Sequence, residues 1–137
     1  MVIKLLRLST PIEIYSSMIG NHILLDLYGV ETDLLKDSDL LMGILEKSLL
    51  KNGFTILNNI SYKFPNGGEG VTGVFLLTES HAAFHTYPEY NYIAIDLFSC
   101  GQKKPGHIIY TIIKMLKPTN FNKKVNKRGV NCTLVIP

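Results

Sequence analysis

Residues 78–101 read TESHAAFHTYPEYNYIAIDLFSCG, and this stretch decides the architecture. Residues 91–98, NYIAIDLF, have the apolar and β-branched content of a strand. Pro88–Asn91 just before them is a reversal signal. A chain that turns there pairs positions whose numbers sum to about 179. Ser80 then lies opposite Ser99, with Cys100 one step away. Strands joined by so short a turn run antiparallel.

Working outward, residues 71–77 are apolar on both faces and read as a central strand. Before them, PNGGEG at 65–70 reads as a turn or small mobile loop. Phe54, Ile56, Ile60, Tyr62 and Phe64 alternate along an earlier strand, interrupted at Asn58 and Asn59. Asp37 or Ser38 can cap a helix running to about Asn52, where Gly53 stops it. Its apolar stripe is Leu40, Leu41, Ile44, Leu45, Leu49 and Leu50. A buried strand, HILLDLYGV, occupies 22–30, closed by Gly29. A second helix spans about Pro105–Lys117, with Ile108, Ile109, Ile112, Ile113 and Leu116 on one side. Residues 119–128 read as polar turns, and 130–136 as a last strand.

The expected order is therefore β-α-β-β-β-β-α-β. This is a two-layer α/β sandwich: an antiparallel sheet with two helices on one face. The other face stays apolar, and a second copy packed sheet on sheet or edge on edge is the expected cover.

Composition bounds the function. The chain has 137 residues, which suits one domain. Hydrophobic residues at 46% and charged residues at 18% exclude wholesale disorder. Fourteen Lys and Arg against 11 Asp and Glu give a net charge of only +3, too small for a nucleic-acid binder with a basic stripe. No apolar run reaches the roughly 20 residues of a membrane span. Residues 1–20, with Lys4, Arg7 and Pro11, lack a signal-peptide core and read as an extension. The two cysteines, Cys100 and Cys132, make no disulfide scaffold and fit a reducing cytoplasm.

Chemistry concentrates in 78–101, which holds Glu79, Ser80, His81, His85, Glu89 and Cys100. His85 is five residues after Ser80, so an unbroken strand points the two to opposite faces. Their convergence requires a bend or bulge, for example at Ser80–Ala82. Four readings are open. The hairpin can be structural, its polar residues incidental. His81 and His85 can be half of a zinc site completed by Cys100 and Glu89, although no HExxH or CxxC is present. Cys100 can be a nucleophile with His85 as base. Ser80 can attack the carbonyl of Glu79 and cleave its own chain.

The stretch resembles the signature of the prokaryotic S-adenosylmethionine decarboxylase proenzymes, the short pyruvoyl-dependent class. Glu79-Ser80-His81, His85-Thr86, Pro88-Glu89-Tyr90 and Cys100-Gly101 match that pattern in order and spacing. HILLDLYG (22–29), the Phe64-containing loop and Gly70–Val74 are also similar, so the likeness spans about residues 21–117.

The resemblance implies an inactive precursor that cleaves itself between Glu79 and Ser80, leaving a β chain 1–79 and an α chain 80–137. Residue 80 becomes a covalent pyruvoyl group that forms a Schiff base with the substrate amine. His85 is then the proton acceptor of processing and Cys100 the proton donor of catalysis. Phe64, Thr72 and Glu89 are implied substrate contacts, and no metal is implied. The implied product is decarboxylated S-adenosylmethionine, the aminopropyl donor for spermidine. The implied assembly is a cytoplasmic homo-oligomer, a dimer of αβ units, without nucleic-acid or membrane partners.

The sequence departs from the pattern at Tyr87, where the family has Trp, and at Asn91, a common Gly. The loop at 65–69 is about two residues longer than usual. These border the substrate pocket, so a sibling decarboxylase of ornithine or arginine is an alternative. An unprocessed, non-catalytic binding homologue is a second.

Overall fold

The structure is a computed structural model that describes residues 13–16, 19–100, 106–130 and 132–135, with side chains for 19–100 and 106–130. The elements run β1 (Glu13–Ser16), β2 (Gly20–Tyr28), α1 (Thr32–Lys36), α2 (Ser38–Lys51), β3 (Ile56–Lys63), β4 (Val71–Leu77) and β5 (Ser80–Tyr87). A 3-10 turn (Pro88–Tyr90) leads to β6 (Tyr92–Cys100), α3 (Gly106–Leu116), β7 (Asn120–Arg128) and β8 (Cys132–Val135). Six strands form an antiparallel sheet in the order β3-β4-β5-β6-β2-β7. The expected sandwich is therefore present, with every bonded neighbour antiparallel.

The hairpin register is the expected one: His81 pairs with Phe98, Ala83 with Asp96 and Tyr87 with Tyr92. The reversal turns on Asn91, which takes a left-handed conformation (φ 51°). Its side-chain amide donates to the Val30 carbonyl (3.0 Å) and to Thr32 Oγ1 (2.7 Å). Asn enters this region more readily than most residues, and here its amide is anchored on the segment that follows β2. That is how Asn replaces Gly here.

Alternation then sorts the two sheet faces. Leu25, Leu27, Phe75, Leu77, Phe84, Ile93 and Ile95 point to the helix side and are buried. Leu41, Ile44, Leu45 and Leu49 of α2 and Ile108, Ile109, Ile112 and Leu116 of α3 complete this core. The buried Thr86 hydroxyl donates to the Leu35 carbonyl and accepts from the Val71 amide, each at 2.7 Å, which ties α1 to the sheet. Asp37 caps α2 by accepting from the Leu40 amide (2.9 Å).

Several expectations change. Residues 119–128 are not polar turns but the edge strand β7, paired with β2 from Gly20↔Arg128 to Tyr28↔Asn120. An edge strand exposed on both faces needs no apolar alternation, and lysines there protect the edge. The last strand is shorter than 130–136 and joins β1 in a separate two-stranded sheet. A short helix, α1, adds to the two expected. Leu40 and Leu50 lie outside the α2 stripe, 47% and 53% exposed. Strand β4 is buried on one face only, with Val74 and Leu76 exposed on the other. Most of the expected 1–20 extension, and the Cys132 side chain, lie outside the described residues.

Candidate active site

Ser80 opens β5, and Glu79 before it has φ 60°. The cause is the tight connection. Leu77 pairs with Ser80, so only Thr78 and Glu79 carry the chain from β4 to β5. A non-glycine residue in the left-handed region is strained. The peptide that joins this residue to Ser80 is the expected cleavage site. On its other side, the Cys100 amide donates to Ser80 Oγ (3.3 Å). The hydroxyl and the Cys100 backbone thus meet as the register requires.

The open face carries the Cys100 side chain, half-buried, in the same alternation as Phe98. Phe98 is the centre of a small cluster. His81 stacks on it at 5.7 Å, His22 meets it edge-on at 6.2 Å, and the Arg128 guanidinium lies 6.0 Å from its centroid. His22 Nε2 also approaches Asp96 Oδ1 at 3.6 Å. Sequence reasoning gave His22 no role; the β2–β6 register, invisible in a local reading, brings it beside Phe98.

His85 does not join Ser80 within one chain. No bulge interrupts β5 in either of its ladders. Ser80 therefore shares the helix side with buried Ala82, while His85 is exposed on the open face. Five residues of strand also separate them by roughly 17 Å. The expected bend at Ser80–Ala82 is absent. For the same reason His81 and His85 stand roughly 13 Å apart, too far to share an ion. Among the described residues no group of three metal-ligating side chains exists.

His85 instead belongs to a cavity of about 300 Å³ at the opposite end of the strands. Phe64, Thr72, Glu89 and His85 all line it, together with Asn66, Gly67, Gly68 and Tyr87. The expected substrate contacts are thus adjacent. Thr72 sits opposite His85 in the β4–β5 ladder, and its Oγ1 is 2.9 Å from His85 Nδ1. Tyr62 packs edge-on against Phe64 at 5.0 Å. Tyr87 continues a row of stacked rings through Tyr92 to Tyr28, at 5.5 and 5.3 Å. Burial and the Asp26 carboxylate, which accepts from Tyr92 at 2.5 Å, raise the Tyr92 phenol well above its ordinary range.

The glycine-rich loop, expected to be a turn or small mobile segment, is tied into this wall. The Phe64 amide donates to the Gly70 carbonyl (2.8 Å). Glu69 bridges Lys36 at 3.1 Å and Lys63 at 3.8 Å. Its hydrogen bond to Lys36 and the two ammonium charges hold the carboxyl below the usual carboxylate range. A Cβ on Gly68 would collide with the Glu89 carboxylate, so glycine is what lets the loop lie against that side chain.

The family model of S-adenosylmethionine decarboxylase matches residues 21–129. An S-adenosylmethionine decarboxylase proenzyme of Persephonella marina is 42% identical over 113 residues, 81% of this chain and 83% of that one. The proenzyme of Picrophilus torridus is 36% identical over 112 residues, 81% of this chain and 85% of its own. The crystal structure of the adenosylmethionine decarboxylase from Aquifex aeolicus superposes with a TM-score of 0.77 at 33% identity, covering 84% of this chain and 94% of that one. The chain belongs to the S-adenosylmethionine decarboxylase family.

Proposed function

We propose that the chain is a self-processing, pyruvoyl-dependent decarboxylase of S-adenosylmethionine that works as a homodimer. The observation that carries the reading is the junction at Glu79–Ser80: a strained residue, then a serine whose oxygen is held by the Cys100 amide. In this reading Ser80 Oγ attacks the Glu79 carbonyl carbon. A C–O bond forms, the C–N bond breaks, and an ester replaces the amide. A base removes the α-proton of residue 80. The electron pair forms the Cα–Cβ double bond and expels Glu79 as a carboxylate. The dehydroalanine left at position 80 hydrolyses with loss of ammonia. Two chains result, 1–79 and 80–137.

The pyruvoyl group so made supplies an electron sink for loss of CO₂ from an amine-bearing substrate. The other roles fall to this chain's side chains. The Cys100 thiol returns a proton to the carbon that lost CO₂. Phe64, 48% exposed, offers a face to adenine. Glu89 takes ribose hydroxyls or the substrate cation. When His85 Nδ1–H donates to Thr72, Nε2 is left as the free base. Conversion of S-adenosylmethionine to its decarboxylated form serves polyamine formation.

Distance supports the dimer. His85 lies too far from Ser80 to act within its own chain, and the open face carries exposed Ile60, Tyr62, Val74 and Leu76. A twofold axis between two such faces, perpendicular to the strands, lays one copy's His85 end over the other copy's Ser80 end. Subunit complementation tests this. Co-expressed Ser80→Ala and His85→Ala chains should cleave the His85→Ala copy, because the other copy supplies the imidazole. Absence of cleavage in that mixture contradicts the shared site. Release of CO₂ from S-adenosylmethionine, but not from ornithine or arginine, tests the substrate; release from either amino acid instead contradicts it.

A further inference from the structure

Among the described residues three polar side chains are buried: Ser48, Thr86 and Ser99. Ser48 donates to the Ile44 carbonyl (2.7 Å), and Thr86 makes two bonds of 2.7 Å. Ser99, at 0% exposure, has no hydrogen-bond partner among the described residues. A buried hydroxyl left unpaired is unfavourable, and its persistence calls for a reason.

The register supplies one. One step past the pair His81↔Phe98, Ser99 stands opposite Ser80 on the helix side of the sheet. Side chains directly opposite each other have Cβ atoms about 5 Å apart. Rotation about the Cα–Cβ bond of Ser99 brings the two hydroxyls within hydrogen-bond reach. Their needs are complementary. Ser80 Oγ accepts from the Cys100 amide, but its own hydrogen has no acceptor among the described residues. Ser99 Oγ has free lone pairs and nothing to accept among the described residues.

We propose that Ser99 is the positioning residue for the Ser80 nucleophile: its hydroxyl accepts the Ser80 hydrogen and fixes the rotamer that turns the Ser80 lone pair toward the Glu79 carbonyl. This rests on the self-cleavage reading above. Ser99 takes no part in the bonds made or broken. It holds the attacking oxygen between one donor, the Cys100 amide, and one acceptor. The arrangement also explains why the orphaned hydroxyl is kept, since its role lies in the precursor's reaction and not in stability.

The test separates those two contributions. Full-length chain is made by cell-free synthesis, and cleavage is followed by intact mass. Ser99→Ala should slow cleavage by at least about tenfold, because a misplaced reacting group loses its proximity advantage. Ser99→Thr keeps the hydroxyl and should restore most of the rate. Stability is read in the non-cleaving Ser80→Ala background. There, adding Ser99→Ala should leave the melting temperature unchanged or raise it, since it removes a buried unpaired group. Cleavage of Ser99→Ala at the wild-type rate overturns the proposal. So does slowed cleavage accompanied by a drop of several degrees in melting temperature, which marks a structural role. If the wild-type chain itself stays whole, the self-cleavage reading fails, and the role of Ser99 falls with it.

Discussion

Replacing Glu79 by glycine should stabilise the precursor and slow its cleavage at the same time. The backbone there has φ 60° in a two-residue connection. An L-residue in this region carries strain of about 1–2 kcal/mol, which glycine lacks. Glycine also makes the unfolded chain more flexible, which offsets about 0.5–1 kcal/mol. The net gain is about 0.5–1 kcal/mol, or roughly 2–4 °C in melting temperature for a domain of this size. If the strain is released as the peptide is attacked, removing about 1 kcal/mol of it slows cleavage about fivefold. Melting is measured on Ser80→Ala with and without Glu79→Gly, so that both proteins stay uncleaved. Cleavage is timed by intact mass with Ser80 present. Glu79→Asn should lie between, since asparagine tolerates the left-handed region better than glutamate does. A Glu79→Gly chain that melts at the same temperature and cleaves at the same rate refutes the idea that strain is stored at this junction.

Other outcomes follow from the cavity and the ladder. Thr72→Val removes the 2.9 Å contact to His85 Nδ1 and should slow cleavage roughly three- to tenfold with little change in melting, as for loss of one hydrogen bond. Gly68→Ala drives a Cβ into the Glu89 carboxylate and should raise KM for S-adenosylmethionine more than it lowers kcat, as steady-state kinetics of the processed enzyme will show. The Lys36–Glu69–Lys63 bridges should hold residues 65–70 against exchange at neutral pH. Because Glu69 has its pKa lowered in the folded chain, that contribution is present above the unfolded carboxylate range and is lost as pH falls through the lowered value. The protection factor of the Phe64 amide, whose N–H is held by Gly70, taken relative to the intrinsic exchange rate at each pH, should therefore fall in acid and in high salt.

The hairpin was legible in the sequence because its signals are local. Pro88–Asn91 marked the reversal, and counting from it gave the observed pairing of His81 with Phe98. Helix α2 was equally readable from Asp37 and Gly53, since a capping residue and a helix stop act on the nearest turn. What escaped the sequence is set by partners far along the chain. Strand β7 is stabilised by pairing with β2, about a hundred residues earlier, and its lysine-rich composition conceals that pairing. The cavity gathers Phe64, Thr72, His85 and Glu89 through two ladders, whereas only the family resemblance put His85 with Ser80. Alternation along β5 warned that those two face apart, and the structure keeps them apart.

The most direct test of the account is the intact mass of the purified protein. The account predicts two chains divided at Glu79–Ser80, the second beginning with a residue that has lost its amine, and a single intact chain in the Ser80→Ala variant. A wild-type protein that stays whole under conditions where it is folded, or a Ser80→Ala chain that still divides at the same bond, would contradict it.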